Sequence, residues 1–168
     1  EEGTVAPTNA GTTASAGMIG SARHFGGGQG IFCGEQITGY PTGSSPHTSE
    51  LWFRPEQPNA TLLGWGNEQA QGKVVMQFRS PPHLNVDAYF SDANVTGTHP
   101  IAMQAWVHAG HTYQEGEARI YVNGVLDGVS QRQGAPLNLR TPARLWIGGW
   151  YHHYDFVGDI DEVRISKV

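Results

Sequence analysis

Acidic, histidine and aromatic side chains cluster at a few points along the 168 residues, and each cluster suggests its own chemistry. The most compact acidic run is Asp159-Ile160-Asp161-Glu162. In an extended segment, residues i and i+2 share a face roughly 6.5–7 Å apart, which would put Asp159 and Asp161 side by side. Paired carboxylates at about 5–9.5 Å are what glycoside hydrolysis needs. Asp161, however, is in phase with Val163 and Ile165, so it points inward or toward a loop base. A carboxylate placed there must be hydrogen-bonded or hold a cation. Asp161 is therefore read as a structural partner, with a calcium ligand as the alternative and a catalytic acid or base as the least favoured use. Of the eight histidines, His152 and His153 are adjacent and could reach one ion only from a loop, and His108 and His111 lie at an odd separation. A transition-metal centre is disfavoured, while hard calcium, which accepts carbonyl, Asn and Asp oxygens, remains the metal to expect. Cys33 is the sole cysteine, which excludes an internal disulfide or a zinc cluster and reads as a buried thiol. No G-x-S-x-G elbow is present.

Binding chemistry is more suggestive. Sugar rings present C–H faces that stack on aromatic rings, and their hydroxyls pair with amides, carboxylates, Arg and His. Trp150-Tyr151-His152-His153-Tyr154-Asp155 is almost wholly planar and polar. Leaving such a loop wet is unfavourable unless it packs down or binds something. The candidate ligand residues are Trp150, Tyr151, His152, His153 and Tyr154; the alternative is that Trp150 and Tyr154 plug the edge of the fold. A second candidate is Trp65, at a segment end, with Asn67 in the amide-rich loop that follows; Trp65 could equally be core. Arg79 and Tyr89, on neighbouring segments, are placed to line a concave face. Trp52, Trp106 and Trp146 lie within strand-like phrases and are expected in the core. Asn59-Ala60-Thr61 and Asn94-Val95-Thr96 match the glycosylation sequon, which matters only in a eukaryotic secretory setting.

The elements that must hold these groups are strands. Charged residues are only 15% of the chain and Gly plus Pro are 33 of 168, which rules out a coiled coil. With 38% apolar residues there is core enough for about one domain, and disorder is excluded. Short β-rich segments are expected at 18–25, 28–33, 47–54, 60–65, 73–78, 83–90, 104–113, 118–122, 125–129, 143–149 and 156–166, separated by turn clusters such as Gly39-Tyr40-Pro41-Thr42-Gly43. Ile120-Tyr121-Val122-Asn123-Gly124-Val125-Leu126 predicts a tight hairpin, because Asn-Gly tolerates the two positive φ angles of a type I′ turn. No window sustains a 3.6-residue period, so no long helix is expected. So many short strands need two packed sheets, and the fold class is all-β, a two-sheet antiparallel β-sandwich. Residues 1–17 are small and polar and read as a flexible arm or linker ahead of a domain at 18–168. The net charge of −5 argues against nucleic acid and anionic membrane as partners, and no apolar run approaches a bilayer span. The Glu1-Glu2 start reads as a processed protein or a segment of a larger multidomain chain.

Several phrases occur in a familiar order. Trp106-Val107-His108-Ala109-Gly110-His111-Thr112-Tyr113 resembles a W-x-H-V-A-x-T-Y strand, and Arg119–Gly124 is similar to an R-I-Y-V-N-G hairpin. Leu145–Gly149, followed by Phe156-Val157-Gly158-Asp159-Ile160-Asp161-Glu162-Val163-Arg164-Ile165, resembles L-x-I-G-G … F-x-G-x-I-D-E-V-R-I. Gly20–Phe25 and Leu51–Pro55 match G-x-A-x-x-F and a W-x-x-P strand. Over roughly residues 17–168 the chain thus resembles the laminin-G-like domains of the concanavalin A-like lectin/glucanase superfamily. The resemblance implies a jelly roll with one concave and one convex face, and a structural calcium near the sandwich edge. Where relatives carry Phe-Asp-Gly, this chain has Phe25-Gly26-Gly27, so one carboxylate that could help hold such a cation is missing. The glucanase E-x-D-x-(x)-E signature is absent.

These features point to an extracellular, non-catalytic carbohydrate-binding module, monomeric as a domain, with no required cofactor. Its ligand would be a polysaccharide or oligosaccharide, of the kind found in algal or plant cell walls. The low charge fits recognition of a neutral sugar by amides, hydroxyls and aromatic rings. The alternatives are an adhesion or protein-interaction module and, less favoured, a glycosidase or polysaccharide lyase on the same fold.

Overall fold

Strands form wherever apolar and polar residues alternate, and the burial of β5 (His47–Pro55) follows that period. His47, Ser49, Leu51 and Phe53 face inward, while Thr48, Glu50, Trp52 and Arg54 lie half-exposed on the other side. The computed structural model describes residues 8, 9, 11–28, 30–151 and 153–168. Before β5 come β1 (Thr8–Asn9), β2 (Thr13–Ala16), β3 (Ser21–Gly26) and β4 (Ile31–Ile37). After it come β6 (Ala60–Gly66), β7 (Lys73–Arg79), β8 (His83–Asp87), β9 (Val95–Pro100) and β10 (Val107–Gln114). The chain closes with β11 (Glu117–Val122), β12 (Val125–Val129), β13 (Ala143–Ile147) and β14 (Val157–Lys167). Among the described residues there is no helix.

Two seven-stranded antiparallel sheets result, one in the order β1-β4-β13-β6-β7-β8-β9 and the other β12-β11-β10-β5-β14-β3-β2. Between them lies one core that includes Phe25, Leu51, Phe53, Met76, Phe78 and Phe156. The all-β sandwich and the Asn-Gly hairpin are as the sequence implies: Asn123 and Gly124 take φ of 50° and 79°, and Val122 pairs with Val125. Asn123 Oδ1 also accepts the His108 N–H at 2.9 Å, which ties the turn to β10.

Among the described residues, the core holds two histidines. His47 and His111 are both fully buried, with ring centroids 5.5 Å apart, and His47 stacks on Tyr113 at 5.4 Å. His47 Nδ1 meets the Ser45 carbonyl at 2.9 Å, whereas neither His111 nitrogen has a partner among the described residues. Burial, with the His47 ring adding to it, lowers the His111 pKa to about 3; burial also lowers that of His47.

Several expectations change. Trp52, Trp106 and Trp146 are not core residues, and all three are only half-buried: Trp52 and Trp146 take the outward phase of β5 and β13, since alternation fixes which residues share a face but not which face turns inward, and Trp106 precedes β10. The 83–90 segment ends as a strand at Asp87, since Tyr89 and Phe90 adopt left-handed φ of 48° and 55°. Strand β9 carries Gly97 and ends at Pro100, so it lacks an apolar alternation. Gly97 is required there because a Cβ would come within 1.8 Å of the Asp127 carboxylate. Within the segment read as an arm, β2 pairs with β3 along the sheet edge, and Ser15 Oγ donates to buried Asp159 at 2.6 Å.

Candidate functional site

The second side of β7 builds the site. Val74, Met76 and Phe78 point into the core, so Lys73, Val75, Gln77 and Arg79 must lie on the outer face of the first sheet. All four line a cleft of about 500 Å³. Asp87 of β8 and Arg144 of β13 join them from neighbouring strands, and Glu68 from the β6–β7 turn.

The aromatic loop forms the opposite wall. It is fastened down onto β6: the Thr61 N–H donates to the Tyr154 carbonyl at 2.7 Å, Thr61 Oγ1 to the His153 carbonyl at 3.2 Å, and the Gly148 N–H to the Leu62 carbonyl at 2.8 Å. The loop covers β6 so thoroughly that the strand is buried on both faces. Glycine at 64 permits this, since a Cβ there would stand 2.3 Å from the Trp150 ring. Trp150 is consequently 4% exposed and presents its Nε1–H to the Glu68 carboxylate. Tyr154, at 55% exposure, caps the other end of the cleft.

Charges in the cleft are largely paired. Lys73 Nζ is 3.1 Å from Glu68 and 3.8 Å from Asp87, and it stands 5.8 Å from the Trp150 ring centroid. Arg144 reaches Glu35 at 3.3 Å and lies over Tyr151 at 5.0 Å. Arg79 lies under the Tyr154 ring at 3.6 Å and donates to Gln77 Oε1, leaving its Nη1 without a partner among the described residues. Burial lowers the Arg79 pKa, with Tyr154 and Asp87 acting the other way. The Tyr151 hydroxyl is likewise buried without a partner among the described residues. Two unpaired polar groups in one cleft are sites where a ligand or water oxygen would be bound favourably.

Trp150, Tyr151, His153, Tyr154 and Arg79 are thus brought together, while His152 lies outside the described residues. Two expected ligand residues are not placed there. Trp65 is 1% exposed and faces the interior, donating from Nε1 to Ser49 Oγ at 3.2 Å beside His47. Asn67 instead holds its own turn: Oδ1 accepts the Gln69 N–H at 3.2 Å and Nδ2 donates to the Arg140 carbonyl at 3.3 Å. Lys73, Gln77, Glu68 and Asp87 were not singled out from the sequence. The outward phase of 73, 75, 77 and 79 was there to be read, but only the fold shows that this face is left open to a cleft.

Asp161 has a structural account. Its Oδ2 accepts the Ile19 N–H at 3.0 Å and its Oδ1 the Glu162 N–H at 2.9 Å, which clasps the β2–β3 turn to β14. A Cβ on Gly17 would meet the same carboxylate at 2.5 Å. Both oxygens therefore face N–H donors, a poor cradle for calcium. Among the described residues, His24, Glu56 and Asp159 do bring ligand atoms within 4.8 Å of one another. Asp159, however, already takes Arg54 at 2.9 and 2.7 Å and stands 3.3 Å from His24 Nδ1, so its carboxylate is engaged in ion pairing. Burial opposes ionisation of Asp159, but the bonds from Ser15 and Arg54 outweigh it and lower its pKa.

Two antiparallel sheets stacked as a jelly roll, with a cleft on the outer face of one, define a lectin-like sandwich. The chain belongs to the concanavalin A-like lectin/glucanases superfamily, whose profile matches residues 25–168. No curated protein matches it. Among solved structures it is similar to domain 4 of AbnA, a GH43 extracellular arabinanase from Geobacillus stearothermophilus, in complex with arabinotriose. That likeness has 22% identity and a TM-score of 0.70, covering 94% of this chain and 75% of the other. It is also similar to the carbohydrate-binding module CBM66 from Bacillus subtilis, with 12% identity, a TM-score of 0.56 and 96% of each chain covered. A third likeness is to the LG1-3 region of the laminin alpha2 chain, with 16% identity and a TM-score of 0.67 over 84% of this chain and 30% of that one. At these identities the shared property is the fold.

Proposed function

We propose that this domain is a non-catalytic carbohydrate-binding module that takes a saccharide in the cleft between β7 and the 150–154 loop. The observation that carries the reading is the lining. Exposed and half-exposed tyrosine rings stand beside an amide, a guanidinium and a hydroxyl, two of them with unpartnered polar atoms. That combination suits the alternating C–H faces and hydroxyls of a sugar. The fold shared with a domain found in complex with arabinotriose and with the carbohydrate-binding module CBM66 supports the same reading. A polysaccharide in an extracellular setting, bound by a module of a larger chain, is the natural ligand class.

Catalysis is the weaker alternative. The cleft does contain two carboxylates, Glu68 and Asp87, but both are committed to the Lys73 ammonium rather than facing each other across open space. The test is affinity electrophoresis in gels containing linear arabinan, levan, xylan, β-glucan or polygalacturonate, with reducing-end release measured in parallel. Retardation in one of them, lost in Tyr154→Ala with the fold intact, is the expected result. No retardation in any gel would refute the saccharide reading, and sugar release abolished by Glu68→Gln would replace it with a hydrolase.

A further inference from the structure

Beyond the cleft lies an aromatic pair that the core does not use. Tyr89 and Phe90 follow β8 directly, their ring centroids are 4.7 Å apart, and Phe90 is 72% exposed. Both adopt left-handed backbone, with φ of 48° and 55°. For two consecutive bulky L-residues this is unfavourable, and it persists only where the surroundings impose it. Here they do: Asp87 Oδ1 accepts the Tyr89 N–H at 2.9 Å, Asn94 Oδ1 accepts the Ala88 N–H at 2.6 Å, and the Tyr89 carbonyl accepts the Gln71 N–H at 2.7 Å. The turn is thus fixed in a form that holds a phenylalanine ring in water, the opposite of what core packing would select.

The pair adjoins the cleft. Lys73 Nζ stands 5.0 Å from the Tyr89 ring and 5.8 Å from the Trp150 ring, so one ammonium separates Tyr89 from the loop wall. Asp87, which positions Tyr89, is itself a cleft residue. Along β7 the trough runs from Lys73, beside Tyr89, to Arg79, beneath Tyr154. Six residue steps at about 3.3 Å make that roughly 20 Å, with aromatic rings at both ends and room for several linked sugars.

We infer that Tyr89 and Phe90 form a second stacking platform, and that the site takes an internal stretch of glycan laid along β7 rather than a single terminal sugar. The inference rests on the saccharide reading and specifies how much of the chain is held. Ring stacking of this kind corresponds to about two- to tenfold in affinity. Phe90→Ala should weaken binding by that factor to whichever of the five polysaccharides retards the wild type, and leave affinity for the matching disaccharide unchanged in calorimetry. Phe90→Gly, which relaxes the left-handed φ, should bind as weakly as Phe90→Ala while melting at or above the wild-type temperature, an outcome that a packing role would not produce. Wild-type binding by both variants would overturn the platform and leave the cleft standing. Equal loss of polysaccharide and disaccharide with a lowered melting temperature would do the same. If the wild type binds none of the five, the saccharide reading and the platform fall together.

Discussion

Lowering the pH should destabilise this domain through its buried histidines, by an amount the core geometry allows to be worked out. His111 is fully buried, has no hydrogen-bond partner among the described residues, and faces His47 at 5.5 Å. Folded, it stays neutral down to about pH 3; unfolded, it takes a proton near the ordinary value of 6.5. The unfolded chain therefore binds more protons between those values. The stability contribution is complete above pH 6.5 and is lost progressively as pH falls toward about 3. Each pH unit in that window costs about 1.4 kcal/mol, so pH 5.0 costs about 2 kcal/mol from His111 alone. His47, whose pKa is lowered in the same direction, adds to the loss. For a domain of this size, 2 kcal/mol corresponds to about 4–8 °C in melting temperature. Urea unfolding of the wild type and His111→Leu at pH 7.5 and 5.0 isolates the effect, because the carboxylates are common to both proteins. The wild type should lose about 2 kcal/mol more than the variant between the two pH values. Equal losses would refute the argument and mean that the His111 ring gains solvent or a partner when charged.

Gly64→Ala should push the Trp150 ring off β6, destabilise by about 1–3 kcal/mol and abolish glycan retardation. Gly116→Ala, at φ +80° with open space around it, should cost about 1 kcal/mol and leave retardation intact, which thermal melts paired with affinity gels will separate. Asp161→Asn replaces one acceptor by a donor opposite an N–H and should cost about 1–3 kcal/mol. The wild-type melting temperature should not respond to calcium or EDTA, and a rise with calcium that Asp161→Asn abolishes would make Asp161 a cation ligand after all. On β7, Met76→Ala should cost about 2–5 kcal/mol in urea unfolding without changing retardation of the folded protein, whereas Gln77→Ala should weaken retardation.

Much of the fold was legible because strands and their turns leave local marks. Each of the eleven expected segments coincides with a strand, though several ends move by a few residues. The ends move where a residue's conformation is decided elsewhere: Tyr89 leaves the β8 pattern because Asp87, Asn94 and Gln71 hold its neighbourhood in a turn. The missing strands have the same explanation. β2 is Thr-Ala-Ser-Ala, with no large apolar side chain to bury, and it is pinned through Ser15 to Asp159, 144 positions away. For the site, the planar loop announced itself, but its floor did not. Glu68, Lys73 and Asp87 are ordinary strand and turn charges until the pairing of β6, β7 and β8 sets them around one ammonium. The tryptophans show the limit most clearly: Trp65 and Trp146 both sit in strand phrases, yet one is sealed in the core and the other stays half-exposed behind Tyr151.

The cleft also gives the chain's charge a more specific meaning. A net charge of −5 could have coexisted with a strongly basic pocket built for a polyanion. The cleft does collect Lys73, Arg79 and Arg144, but Lys73 is held by two carboxylates and Arg144 by Glu35. Arg79 is left covered by the Tyr154 ring. Two of the three cations are thus ion-paired, by Glu68, Asp87 and Glu35, and the third lies under a ring, so little net field reaches a ligand. Such a surface discriminates by the geometry of its donors and rings rather than by charge. Binding to a neutral glycan such as linear arabinan should then be nearly indifferent to ionic strength, whereas attraction to polygalacturonate through long-range charge would fade as salt is raised.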